Sequence, residues 1–106
     1  MAKYQIEYNH GEGRKSYSYF TAEDADCVKD LACMHANERL KRDKENASFR
    51  SFGYFKPIKT LMVREMDMEK KEPKRGGRKF KLRLTFLQFT TDSGRKERQE
   101  WYEYTD

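Results

Sequence analysis

No stretch of the 106 residues approaches the roughly 20 consecutive apolar residues that a membrane-spanning helix needs. The opening segment MAKYQIEYNHGEG also lacks the apolar block of a secretory signal, so the chain reads as cytoplasmic. Cysteine is nearly absent: Cys27 and Cys33 are the only two. Six residues apart on a helix, they point about 120° away from each other, which excludes a shared disulfide or a common metal and leaves two reduced thiols. Histidine is equally sparse, with two residues. Proline and glycine are few, two and six, and leave little to interrupt a folded chain. Apolar residues make up 36% of the chain against 39% charged, so the core must be thin.

Aromatic residues are what the chain has instead. Seven Phe, seven Tyr and one Trp give 14% of the sequence, and rings of that size bury enough area to argue for a folded chain over a disordered one. At this length one domain is expected, spanning 1–106. The net charge of +5 is local: residues 1–53 carry nine Lys/Arg and nine Asp/Glu, whereas residues 54–106 carry fourteen against nine. Within the second half, Lys70, Lys71, Lys74, Arg75, Arg78, Lys79, Lys81 and Arg83 face one acid, Glu72.

Periodicity gives the elements. Lys3–Asn9 alternates Tyr4, Ile6 and Tyr8 against Lys3, Gln5, Glu7 and Asn9, and Arg14–Phe20 resumes the alternation after His10-Gly11-Glu12-Gly13, which predicts a hairpin. Thr21-Ala22-Glu23-Asp24 carries the features of a helix start, with Thr21 as the cap. A helix to about Leu40 follows, its apolar face formed by Ala25, Cys27, Val28, Leu31, Ala32, Met34, Ala36 and Leu40, with His35 in its midst. Lys41–Asn46 is a charged exit. Ser48–Phe55, Ile58–Met68, Phe80–Thr90 and Lys96–Tyr104 read as strands. In the third of these Phe80, Leu82, Leu84 and Phe86 share a face while Leu87 and Phe89 fall on the other, which hints at a bulge or a change of packing partner. The order β-β-α-β-β-β-β predicts an α+β fold, mainly an antiparallel sheet of five to six strands with one amphipathic helix on one face.

No catalytic signature is present: no Gly-x-Ser-x-Gly, Walker loop, His-Glu-x-x-His or Cys-x-x-Cys pair, and Gly11-Glu12-Gly13 lacks the context of a dinucleotide loop. The expectation is a binding protein that is not an enzyme and uses no cofactor and no metal. If Ile58–Met68 pairs with Phe80–Thr90, the eleven residues Glu69–Lys79 become a basic hairpin tip, longer than the usual two to five, and thus a segment that is either disordered or used. Clustered cations there suit a phosphate backbone.

Arg50-Ser51-Phe52-Gly53-Tyr54-Phe55 partly resembles the RNA-contacting strand of RNA-recognition motifs, Arg/Lys-Gly-Phe/Tyr-Gly/Ala-Phe before an aliphatic residue. The resemblance implies base-stacking positions at Phe52 and Tyr54 and a phosphate contact at Arg50. It covers six residues: Ser51 replaces the first glycine, Phe55 the aliphatic residue, and the β-β-α opening departs from that family's element order. The leading expectation is therefore a small module that binds nucleic acid or a nucleoprotein surface through the Lys70–Arg83 arm with Arg50, Phe52 and Tyr54. The alternative is a protein-interaction module that meets an acidic protein surface, such as a phage or mobile-element inhibitor of a host protein that handles nucleic acid. A homodimer burying Trp101 is compatible with either.

Overall fold

A computed structural model describes residues 1–49 and 57–105, with the backbone alone for 46–49. Strand β1 (Ala2–Gly11) pairs antiparallel with β2 (Arg14–Ala22) in the register Tyr4↔Phe20, Ile6↔Ser18 and Tyr8↔Ser16. Glu12 and Gly13 close the hairpin with φ of 55° and 76°, the pair of positive values that matches the twist of the strands. Tyr8 and Ile6 are fully buried, as their alternation requires.

The helix begins later than Thr21. That residue is still in β2, opposite Lys3, and the cap is Asp24, whose Oδ1 accepts a hydrogen bond from the Asp26 amide at 3.0 Å. A single 3-10 turn, Ala25–Cys27, leads into α1 (Val28–Phe49). The helix runs nine residues past Leu40, because Lys41–Glu45 are good helix formers and Arg39 pairs with Asp43 one turn on, at 3.6 Å. Ser48 and Phe49 are thus helical, and the rest of the strand expected over 48–55 lies outside the described residues. Val28, Ala32, Ala36 and Leu40 form the buried stripe, whereas Cys27 and Met34 are exposed. Small alanines let the helix backbone approach the sheet closely, so the buried face is narrower than the apolar face of the sequence. His35 is a rim residue: its ring stacks on Phe20 at 5.3 Å and its Nδ1 lies 3.9 Å from Glu38.

The remaining strands are β3 (Thr60–Asp67), β4 (Glu72–Pro73), β5 (Arg78–Thr90) and β6 (Lys96–Tyr104). The sheet order is β2-β1-β3-β5-β6, with β4 a short extra partner of β3. The fold is α+β, one helix against a curled antiparallel sheet. The curl is held by α1 on the far edge of β6. Asn37 accepts from the Tyr102 amide through Oδ1 at 2.6 Å and donates through Nδ2 to the Tyr102 carbonyl at 3.3 Å. The Tyr104 hydroxyl donates to the Lys29 carbonyl at 2.6 Å. Tyr102 is itself core, and its hydroxyl accepts the Ile58 amide at 2.9 Å. No helix among the described residues is long and apolar enough to cross a membrane.

Strand β5 changes neighbours along its length. Arg78–Lys81 pair with Val63–Thr60, and Leu82–Thr90 pair with Tyr104–Lys96. No bulge interrupts β5. Beyond Leu84 the β5–β6 ribbon outruns the body, and Phe86, Leu87 and Phe89 are 53%, 55% and 41% exposed. The extended ribbon is reflected in a radius of gyration of 16.0 Å, against about 13 Å for a compact domain of this length.

Candidate nucleic-acid interface

The connector 69–79 is not a long projecting tip. Asp67 pairs with Glu72 and Met66 with Pro73, so the hairpin between β3 and β4 turns over four residues, Met68–Lys71. The Asp67 carboxylate accepts from the amides of Glu69 and Lys70 at 3.0 and 3.3 Å, and Lys71 takes the left-handed conformation at φ 57° that closes the turn. The following residues fold back on β3. The Lys74 amide donates to the Glu65 carbonyl at 2.8 Å, and Arg64 Nε donates to the Gly76 carbonyl at 3.1 Å. Gly77, at φ 133°, lies so close to β3 that a Cβ there would come within 2.8 Å of the Val63 carbonyl oxygen.

This geometry divides the eight cations singled out in the sequence into four groups. Lys70 and Lys71 sit on the short turn. Lys74 is paired with Glu65 at 3.2 Å. Arg75 and Arg78 line a cleft of about 240 Å³ between the helix start and the connector, and the Arg78 guanidinium also lies 5.1 Å from the Phe80 ring. Lys79, Lys81 and Arg83 alternate with the buried Phe80 and Leu82, and so project from the sheet face opposite the helix. Arg83 is committed there to Glu103, 3.1 Å away. Trp101 Nε1 donates to the same carboxylate at 2.9 Å, and these two donors, Trp101 first, hold the Glu103 carboxyl below its ordinary range. Arg50, Phe52 and Tyr54 lie outside the described residues.

That sheet face brings charge and aromatic surface together from four strands. Its register puts Lys15, Asn9, Thr60 and Lys81 in one row across β2, β1, β3 and β5, and Tyr17, Glu7, Met62 and Lys79 in the next. A third row carries Tyr19, Gln5 and Arg64. Tyr17 and Tyr19 are each 49% exposed. Their hydroxyls are tied to β1: that of Tyr17 donates to Glu7 at 3.4 Å, and that of Tyr19 accepts from the Gln5 amide at 3.2 Å. Gln5 is buried although it lies on the uncovered face, because its neighbours close over it. The Lys3 ammonium lies 5.3 Å from the Tyr19 ring centre. Glu7 is the acid at the middle of the face, with Lys15 at 3.6 Å and Arg64 at 3.7 Å.

Lys3, Lys15, Arg64, Lys79, Lys81 and Arg83 thus share this part of the face with two carboxylates, Glu7 and Glu103. The sequence brought out Lys79, Lys81 and Arg83 but missed Lys3, Lys15, Arg64, Tyr17 and Tyr19 as one surface. The signal was present in the alternation of β1 and β2, where the residues out of phase with Tyr4, Ile6 and Tyr8 define the face, but the order of strands that brings β5 beside β3 is not a local property. Comparison with protein families, with curated proteins and with solved structures finds no match to this chain.

Proposed function

We propose that the chain is a non-enzymatic binding module that takes single-stranded nucleic acid on the open sheet face. The observation that carries this reading is the combination, on a sheet face that no element among the described residues covers, of Lys79, Lys81, Lys15 and Lys3 with the half-exposed rings of Tyr17 and Tyr19. Cations alternating along a strand recur about every 7 Å, which suits contacts to successive phosphates. Anchored tyrosines offer stacking surfaces at little entropic cost, and base stacking on an aromatic contributes about 1–3 kcal/mol per base without regard to sequence. Duplex is disfavoured because its bases are already stacked and its grooves need a projecting element, which this face does not present among the described residues.

The expected outcome of Tyr17→Ala with Tyr19→Ala is a loss of single-strand affinity of ten-fold or more with duplex affinity unchanged, read by filter binding on matched probes. Equal loss on both probes, or none, contradicts the stacking role. Lys70→Ala with Lys71→Ala is expected to change affinity less than Lys79→Ala with Lys81→Ala, since the turn stands apart from the face.

One observation favours a second reading. Glu7 interrupts the positive surface at its centre, and a folded protein surface of mixed charge tolerates a central carboxylate better than a polyanion does. On that reading the module sets Tyr17 and Tyr19 as anchors against an acidic protein, in the manner of an inhibitor carried by a phage or other mobile element. A protein partner that co-purifies after nuclease treatment and is lost with Tyr17→Ala supports it; release of all bound material by nuclease rejects it.

A further inference from the structure

We infer that two copies of the chain associate through the edge of β5 that no strand among the described residues pairs with, joining their sheets into one. The reasoning starts from which way the backbone points. Both the N–H and the C=O of Tyr102 bond to Asn37, away from β5, so the opposed pair Leu84↔Tyr102 is one that exchanges no hydrogen bonds. Leu84 therefore aims its own N–H and C=O to the side away from β6, as do Phe86, Gln88 and Thr90 at every second position. Leu82 confirms the phase: its amide donates to the Lys59 carbonyl at 2.9 Å, on the β3 side. From Leu84 onward no strand among the described residues occupies that side.

The side chains on this edge are as unusual as the backbone. Leu84-Thr85-Phe86-Leu87-Gln88-Phe89-Thr90-Thr91 carries no charge, in a chain of which 39% is charged. Free edges are ordinarily guarded by lysine, proline or a covering element. The opposite edge of the ribbon has such guards: Lys96, Arg98 and Glu100 alternate along it, Lys44 pairs with Glu100, and Asn37 closes Tyr102. Among the described residues one edge is protected, whereas the other carries uncharged residues on both faces, with Phe86, Leu87 and Phe89 about half exposed and the Arg98 guanidinium 3.8 Å from the Phe86 ring centre.

A second copy is the occupant that this pattern fits. An antiparallel pair of identical strands is related by a two-fold axis, which closes after two copies and cannot propagate while the β6 edge is blocked. Centring the axis on Leu87 sets Leu87 against its own copy, Phe86 against Gln88, Thr85 against Phe89 and Leu84 against Thr90, so the uncharged residues Leu84–Thr90 meet one another and Arg83 falls opposite Thr91. Burying the exposed parts of these rings with the adjoining backbone on both copies removes on the order of 1,000 Å² from water, the lower bound of a specific interface. Because that axis stands perpendicular to the sheet, the two open faces point the same way and form one surface of twice the extent. Association itself does not depend on what that surface binds.

Sedimentation equilibrium of the full chain between about 1 and 200 μM tests this. The wild type is expected to convert from a monomer of 12.8 kDa to a dimer without higher species. Gln88→Pro removes an amide that points away from β6, so the β5–β6 ladder survives while the outer edge is blocked; Leu87→Lys places a charge on the axis at an exposed position that the fold does not need. Each is expected to weaken association at least ten-fold with the tryptophan fluorescence of Trp101 unchanged. A wild type that stays monomeric throughout, one that polymerises, or two variants that dimerise like the wild type would each overturn the inference.

Discussion

Tyr102 joins three parts of the molecule through one side chain and its own backbone. The hydroxyl accepts the Ile58 amide, and burial pushes it up to about 12 from the ordinary 10.0. A phenol whose folded value lies above its unfolded value contributes stability that is complete below pH 10 and is lost as pH rises towards 12; the loss is on the order of 2 kcal/mol. Burial raises Tyr8 in the same direction. Urea unfolding at pH 9 and pH 11 should show the wild type losing stability over that interval and Tyr102→Phe losing less. At pH 7 the same variant should be weaker by about 1–3 kcal/mol, because the Ile58 amide is left buried and unpaired. Asn37 is the complementary case. Asn37→Ala removes the partner of the Tyr102 amide and one of the two donors to its carbonyl, the other being Cys33 Sγ at 3.6 Å, for an expected loss of about 2 kcal/mol, whereas Asn37→Asp keeps the acceptor and should recover part of it; thermal unfolding of the three forms measures the difference.

At the scale of elements, the legible parts were those whose pattern is local. Ile6 and Tyr8 alternate and are core, with Tyr4 packed against them; Phe80 and Leu82 alternate and are core; the β1–β2 turn at Glu12-Gly13 and the β5–β6 turn at Asp92-Ser93-Gly94 stand where glycine and short polar residues cluster. Three features were not legible, each for a physical reason. Thr21 has the chemistry of a cap, but pairing with Lys3 keeps it in the strand and leaves Asp24 to start the helix. Cys27 and Met34 have apolar side chains, yet the alanine stripe decides which side of α1 approaches the sheet. The connector after β3 is charged enough to read as a free tip, but two contacts to β3, from Lys74 and to Gly76, fold it back. Gly77 allows that close approach, so Gly77→Ala should both strain the positive φ and collide with Val63, at a cost of about 1–3 kcal/mol in chemical denaturation. The same change at Gly13, where a Cβ has nothing within 4 Å, should cost only the conformational part.

Across the whole molecule, a thin core of one helix and one sheet face leaves the second sheet face to other uses. On the helix side, aromatic rings and alanines are consumed by packing. On the opposite side the chain keeps polar and aromatic residues pinned to each other by short contacts, with Glu7 held by Lys15, Arg64 and Tyr17, which fixes the surface in place before any partner arrives. The basic excess of the second half of the sequence reaches that face only in part. Lys79 and Lys81 deliver it, Arg83 is neutralised by Glu103, and Lys74 by Glu65. Positive charge is therefore gathered on a surface assembled from four strands, which no window of sequence contains.

The dependence of single-strand affinity on salt tests this account most directly. With about four phosphates neutralised on the open face, a plot of log affinity against log salt concentration should have a slope of about −3, falling to about −1.5 after Lys79→Ala with Lys81→Ala. A slope near zero, or one that the double variant leaves unchanged, would contradict it.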